Sequence, residues 1–327
     1  MPKRRQLIAI AIALAPPVAP RLLHAQAGAG WPAERPIEVI VPFPPGGGVD
    51  VMTRMILPLV QARIPGSHFV VINRAGAAGQ LGLEATFNAQ PNGYTIGATT
   101  IPAHSGIPIE RTARDRPLDF TFLANIVDDP NAFFVRAESP IRTLAELIAR
   151  AKQGPGSVTY GTTGIGSDDH VIMLEFEAAA GIAEQTHIPF AGSAALTPQL
   201  LGGHLDMAVG NAGEATVLAR EGKVRGLAVA TAERMREAPD LPTFRELGFD
   251  IIGSASRGIV GPPGIPEPIA ARLRKALGAA IGDPAFVREA ERQVMPLRPL
   301  LGAEYRAMAA SVDAQLRALW QRRPWRG

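Results

Sequence analysis

Apolar and polar positions along this chain fall into short blocks that switch between strand-like runs and helical spacing. Residues 37–43 (IEVIVPF) form a compact apolar run, which predicts a buried strand. Pro44-Pro45-Gly46-Gly47-Gly48 breaks it, and residues 50–62 follow with Val51, Ile56, Leu59 and Val60 at helical spacing. Residues 69–73 predict a second strand. The Gly/Ala-rich stretch 75–82 leads into a helix over 80–89. The turn signal Pro91-Asn92-Gly93 precedes a third strand over 94–99. This strand–helix alternation predicts parallel strands with helices on both faces.

A second series starts after Phe133-Phe134-Val135. Residues 143–152 predict a helix capped by Thr143, with Glu146 at capping-box spacing. Strands are predicted over 158–161, 186–190, 207–209 and 224–230, and helices over 168–180, stopped by Gly181, and 194–201. Residues 257–260 read as a returning strand, followed by helices over 268–281, 284–292 and 303–320. The pattern reads as two α/β lobes: residues 28–128 with 254–327, and residues 129–253. The chain crosses between them near 125–135 and again near 250–257. Two crossings place a ligand between the lobes and permit hinge closure.

Length agrees with this division, since 327 residues accommodate about two domains. With 46% hydrophobic and 19% charged residues, the chain is packed rather than disordered. Residues 1–27 stand apart. Lys3, Arg4 and Arg5 precede an apolar run over 7–15, and Ala25-Gln26-Ala27 supplies a small-x-small cleavage pattern. That is the layout of a secretory signal peptide and implies an exported protein. The run is shorter than the ~20 residues a membrane-spanning helix needs. Arg4-Arg5 leaves the export route, general secretory or twin-arginine, open.

Beyond residue 27 the chain carries 29 basic and 30 acidic residues, a net charge of −1, so the basic balance of the whole sequence belongs to the leader. No nucleic-acid-binding face is implied. The absence of cysteine excludes a disulfide framework, a thiol nucleophile and thiolate metal sites. Gly-x-Ser-x-Gly, Gly-x-x-x-x-Gly-Lys and His-Glu-x-x-His are absent, and Gly76-x-x-Gly79-x-x-Gly82 is not a dinucleotide fingerprint. The expectation is a binding protein without cofactor or metal, not an enzyme.

Two loops carry the candidate chemistry. Helix N-termini present unsatisfied N–H groups and partial positive charge, so they hold anions without a basic side chain. The first loop, with Phe43, Pro44, Gly46 and Gly47, enters the helix at Asp50. The second, with Thr162, Thr163, Gly166 and Ser167, enters the helix at Asp168 and adds hydroxyl donors. Thr99 and Thr100 sit at the carboxyl end of the third strand, where open α/β sheets place ligands. Asp50 is read as a helix or loop cap, or as a partner for a ligand amine. Asp168 and Asp169 are expected to face solvent, and His104 to be structural or exposed. Arg257 is either a cationic contact or a solvated hinge residue, with the hinge reading favoured because most arginines are exposed.

Several of these segments resemble one family. Trp31-Pro32, Arg35-Pro36-Ile37 and Val41-Pro42-Phe43-Pro44-Pro45-Gly46-Gly47-Gly48-Val49-Asp50 are similar to the start of the Bug family, the periplasmic receptors of tripartite tricarboxylate transporters, or TctC-like proteins. Asn73-Arg74-Ala75-Gly76-Ala77-Ala78-Gly79 and Pro91-Asn92-Gly93-Tyr94-Thr95 match its next signatures. Ile188-Pro189-Phe190-Ala191-Gly192-Ser193, the stretch from Gly222 to Val229, and Leu241-Pro242-Thr243 continue in the family's order.

The resemblance implies a two-lobed type II periplasmic-binding-protein fold and a monomer. It further implies a small carboxylate ligand (a di- or tricarboxylate, an acidic amino acid or an aromatic acid) delivered to membrane permease subunits. A sensing receptor that signals to a membrane partner, or an exported α/β enzyme, is the alternative. The resemblance adds Ala191, Ser193 and Asp206 to the candidate site. Two positions depart from the family: Ala191 replaces a usual lysine, and Ala255-Ser256-Arg257 stands where an aromatic residue is common.

Overall fold

The computed structural model describes residues 30–325, so the leader expected over 1–27 lies outside the described residues. The chain first lays down β1 (Ile37–Val41), α1 (Gly48–Arg63), β2 (Phe69–Asn73), α2 (Gln80–Phe87), β3 (Thr95–Ile101) and α3 (Ala103–Glu110). β4 (Thr121–Arg136) carries it into a second half. That half holds α4 (Leu144–Ala151), β5 (Thr159–Thr162), α5 (Asp168–Ala180), β6 (Thr186–Pro189), α6 (Ser193–Leu201), β7 (Met207–Asn211), α7 (Ala212–Arg220) and β8 (Val224–Val229). β9 (Ser254–Gly261) returns to the first half, which ends with α8 (Glu267–Ile281), α9 (Pro284–Arg292), β10 (Leu297–Leu301) and α10 (Ala303–Arg322).

The strands run in the order β2-β1-β3-β9-β4-β7-β5-β6, with β10 and β8 also paired to β4. β1 is parallel to β2 and β3, and β5 is parallel to β6 and β7. β9 is antiparallel to β3 and β4, and β4 is antiparallel to β7, β8 and β10. The expected parallel arrangement therefore holds only inside the βαβ units. Where the chain passes between the two lobes, it does so by strands that run against their neighbours.

β4 was visible in the sequence only as Phe133–Val135, because Asp128-Asp129-Pro130-Asn131 interrupts its apolar run. The strand persists because each of those polar side chains is partnered, and partnered polar groups tolerate burial. The hydroxyls of Ser254 and Ser256 donate to Asp128 Oδ1 at 2.6 and 2.8 Å. The Gly213 N–H donates to Asp129 Oδ1 at 2.9 Å. Asn131 Nδ2 donates to Asp168 Oδ2 at 2.6 Å.

Each lobe has its own core. The first packs Ile37, Val39, Ile56 and Ile96 against Leu273 and Leu277 of α8. The second packs Phe133, Tyr160, Phe176, Met207 and Phe244. The C-terminal segment joins the two: Leu316 and Trp325 pack with Val171 and Leu174 of α5. Arg323 Nη2 donates to the buried Glu177 carboxylate at 2.7 Å. Among the described residues, no helix is long and apolar enough to cross a membrane.

Candidate ligand-binding cleft

The carboxyl ends of β1, β3, β5, β6 and β7 and the start of β9 converge on a cleft between the lobes. From the first lobe come Phe43, Pro44, Gly47 and Gly48, with Thr100 and Ala103. From the second come Thr163, Ser167 and Asp168, then Ser193, then Asn211 and Glu214. Ala255 and Arg257 of β9 form the floor, with Arg257 paired in register to Thr100. The lips touch: Phe43 and Pro44 lie against Gly192, and Ala78 against Gly164. The cavity left between them is about 40 Å³. That is room for about one water, so a ligand of several heavy atoms enters only as the lobes part.

The first loop is built by its own helix. Gly46 has φ +88°, a left-handed conformation that glycine adopts without steric cost. Its N–H donates to Asp50 Oδ2 at 3.0 Å. Asp50 also accepts from Asn73 Nδ2 at 2.9 Å and Arg54 Nε at 3.0 Å. Burial works against its charge, but these donors win and hold its carboxyl below the usual carboxylate range. Asp50 is thus the strut of the turn, satisfying a loop N–H rather than capping the helix.

At the start of α1, the Gly48 N–H donates to Glu214 Oε1 at 2.9 Å, across the cleft from α7. A Cβ on residue 48 would collide with Arg257 Nη1 and Glu214 Oε1, so only glycine lets these three groups meet.

Arg257 is 2% exposed. Its Nη2 donates to Asn211 Oδ1 at 2.9 Å and lies 3.1 Å from Asp129 Oδ2 and 3.7 Å from Glu214 Oε1. Its Nη1 is buried without a hydrogen-bond partner. The expectation of a solvated hinge residue is overturned. An aspartate on β4 and two residues of the β7–α7 junction hold the guanidinium in place of water.

Asp168 and Asp169 are likewise not in solvent; they are 5% and 0% exposed. Asp168 Oδ2 accepts from Asn131 and Asn211, and Asp169 accepts from Asn131 and from the N–H and hydroxyl of Thr163. First-turn acids face the positive end of their own helix, and here side-chain amides replace the water they would otherwise need. Burial and the neighbouring Asp168 push the Asp169 carboxyl well above its ordinary range. Burial likewise pushes Asp129 up to about 7, against the opposing pull of Arg257.

Residues 57–299 match the model of the tripartite tricarboxylate transporter family receptor, TctC. The chain belongs to this TctC family. It is 31% identical to Protein BugT of Bordetella pertussis over 261 residues, 79% of each chain. Its structure is similar to that of R. palustris Rpa4515 with adipate, with a TM-score of 0.80 and 28% identity, covering 89% of this chain and 96% of that one. It is also similar to MatC from Rhodopseudomonas palustris with bound malate, with a TM-score of 0.79 and 25% identity, covering 88% of this chain and 98% of that one.

In this TctC receptor the cleft wall includes Phe43, Pro44, Gly47, Thr100, Thr163, Ser167 and Ser193. Other candidates stand off it. Gly46 and Asp50 hold the turn from behind. Thr99 is buried, with its hydroxyl 3.0 Å from His104 Nδ1, so His104 is structural. Thr162 Oγ1 pairs with His187 Nε2 at 2.7 Å. The Gly166 N–H donates to His170 Nδ1, and Ala191 is exposed beside the lip. Asp206 precedes β7 and accepts from the N–H and hydroxyl of Thr159 at 2.8 and 2.9 Å, at the strand ends opposite the cleft. The sequence reading missed Asn211 and Glu214. Their signal was a polar pair, Asn-x-x-Glu, opening a helix that it did not recognise.

Proposed function

We propose that this receptor captures a small carboxylate-bearing solute between its lobes in the periplasm and delivers it to the membrane permease of a tripartite tricarboxylate transporter. The observation that carries the reading is Arg257 Nη1, a buried guanidinium donor without a partner at the floor of the cleft, beside the start of α1. A buried donor left unpaired is costly, and a ligand carboxylate would relieve it with a charge-assisted bond. The adipate and malate held by the two similar proteins support the same class of solute.

The two crossing strands supply the hinge. Asp128 of β4 is tied to Ser254 and Ser256 of β9, and its other oxygen pairs with Arg298 Nη1 at 2.6 Å. Parting the lobes leaves this anchor intact and separates Gly48 from Glu214.

Thermal-shift screening against mono- and dicarboxylates and amino acids tests the reading. A ligand at 100 times its Kd adds about 2.7 kcal/mol of stability, and it should be recovered chemically unchanged. Replacing Arg257 by methionine should remove the shift. A panel in which no carboxylate stabilises the protein, or turnover of the bound compound, would overturn the proposal.

A further inference from the structure

The cleft wall holds two carboxylates, Asp168 and Glu214, and, among the described residues, one cation, Arg257. Asp168 is fixed by two side-chain amides. Glu214 is not fixed in that way: it reaches from the second lobe to the Gly48 N–H, and its side chain is 29% exposed. The Gly48 N–H at the start of α1 is thus already taken by a carboxylate of the protein, and the buried, unpartnered Arg257 Nη1 beside it is the group left to receive one from a ligand. A second ligand carboxylate would meet Asp168 or Glu214 with no counter-charge, whereas an ammonium would find an acceptor there.

We infer that Glu214 sets the ligand class, making the cleft select an amino-acid-like zwitterion, one carboxylate plus one ammonium, over a dicarboxylate. The inference rests on the carboxylate-receptor reading and goes further by assigning the two ends. Arg257 takes the carboxylate. Glu214 takes the ammonium with Asp168. Discrimination then comes from repulsion of the wrong ligand as much as from attraction of the right one.

Isothermal titration with chain-matched pairs tests this: γ-aminobutyrate against glutarate, and β-alanine against succinate, on the wild-type protein and on Glu214→Gln and Glu214→Ala. The expected result is a wild-type preference for the zwitterions of about tenfold or more, which both variants reduce or reverse by about tenfold through tighter dicarboxylate binding. Glu214 is partly exposed, so neither variant should unfold the protein. A wild type that binds dicarboxylates as tightly as zwitterions, or a preference unchanged in both variants, overturns the inference and leaves the receptor reading standing. Failure of every carboxylate in the panel to bind overturns both.

Discussion

Replacing Arg257 by methionine keeps the side-chain volume near that of the original and deletes the charge at the centre of four carboxylates. Asp129 measures what that charge does. Its ordinary value is 3.8, and burial raises it to about 7 although Arg257 pulls it down. A carboxyl with a raised pKa in the folded state favours folding fully only below its unfolded value. That contribution is lost as pH rises to the folded value, here over about three pH units, or about 4 kcal/mol.

In the wild type this loss slows as pH passes about 7 and is complete by about pH 8. Without Arg257 the folded pKa of Asp129 moves higher, so the loss continues. At about 1.4 kcal/mol per pH unit, the variant should fall a further ~2 kcal/mol behind the wild type between about pH 7 and pH 8.5. Urea unfolding followed by tryptophan fluorescence at both pH values reads this difference, because groups distant from Arg257 cancel. A stability gap that stays constant over the interval would refute the account of Arg257 as the counter-charge of a buried acid.

Other consequences are as specific. Gly48→Ala should weaken binding of any cleft ligand by about tenfold or more in isothermal titration, because the added methyl displaces Arg257 and Glu214, as crowded sites do not absorb an extra carbon freely. Unchanged affinity would place the site elsewhere. Burial, together with His187 beside it, depresses His170 to about 3, and burial depresses His187 to about 4. Both rings stack in series with Tyr160. Their contribution to stability is present above the unfolded pKa of about 6.5 and is lost as pH falls towards 4 and below. NMR titration should therefore show two imidazoles neutral at about pH 5, and charged rings there would contradict the burial described.

Where local chemistry sets a helix boundary, the sequence was readable residue by residue. α5 begins at Ser167, whose hydroxyl accepts from the His170 N–H, and ends at Gly181 in the left-handed conformation, so residues 168–180 were legible. Thr143 caps α4 in the same way, accepting from the Glu146 N–H. α3 and α7 were not legible, since neither has a side-chain cap and both follow their strands without a turn signal. β10 was missed because its Leu-Arg-Pro-Leu-Leu pattern contains a proline, a residue that sheets confine to edges.

The sequence alone determined the alternation of elements, the two-lobed α/β class and the glycine turn entering α1. Each depends on spacing or backbone freedom within a few residues. The tertiary structure decided which charges meet. Asp129, Asp168, Asn211, Glu214 and Arg257 lie on five separate elements or junctions, and their approach turns acids expected in solvent into buried acceptors and a supposed hinge arginine into the floor of the cleft. A carboxylate's environment is a sum over everything packed around it. No local pattern records that sum, which is why the cleft's electrostatics became visible only once the lobes closed over them.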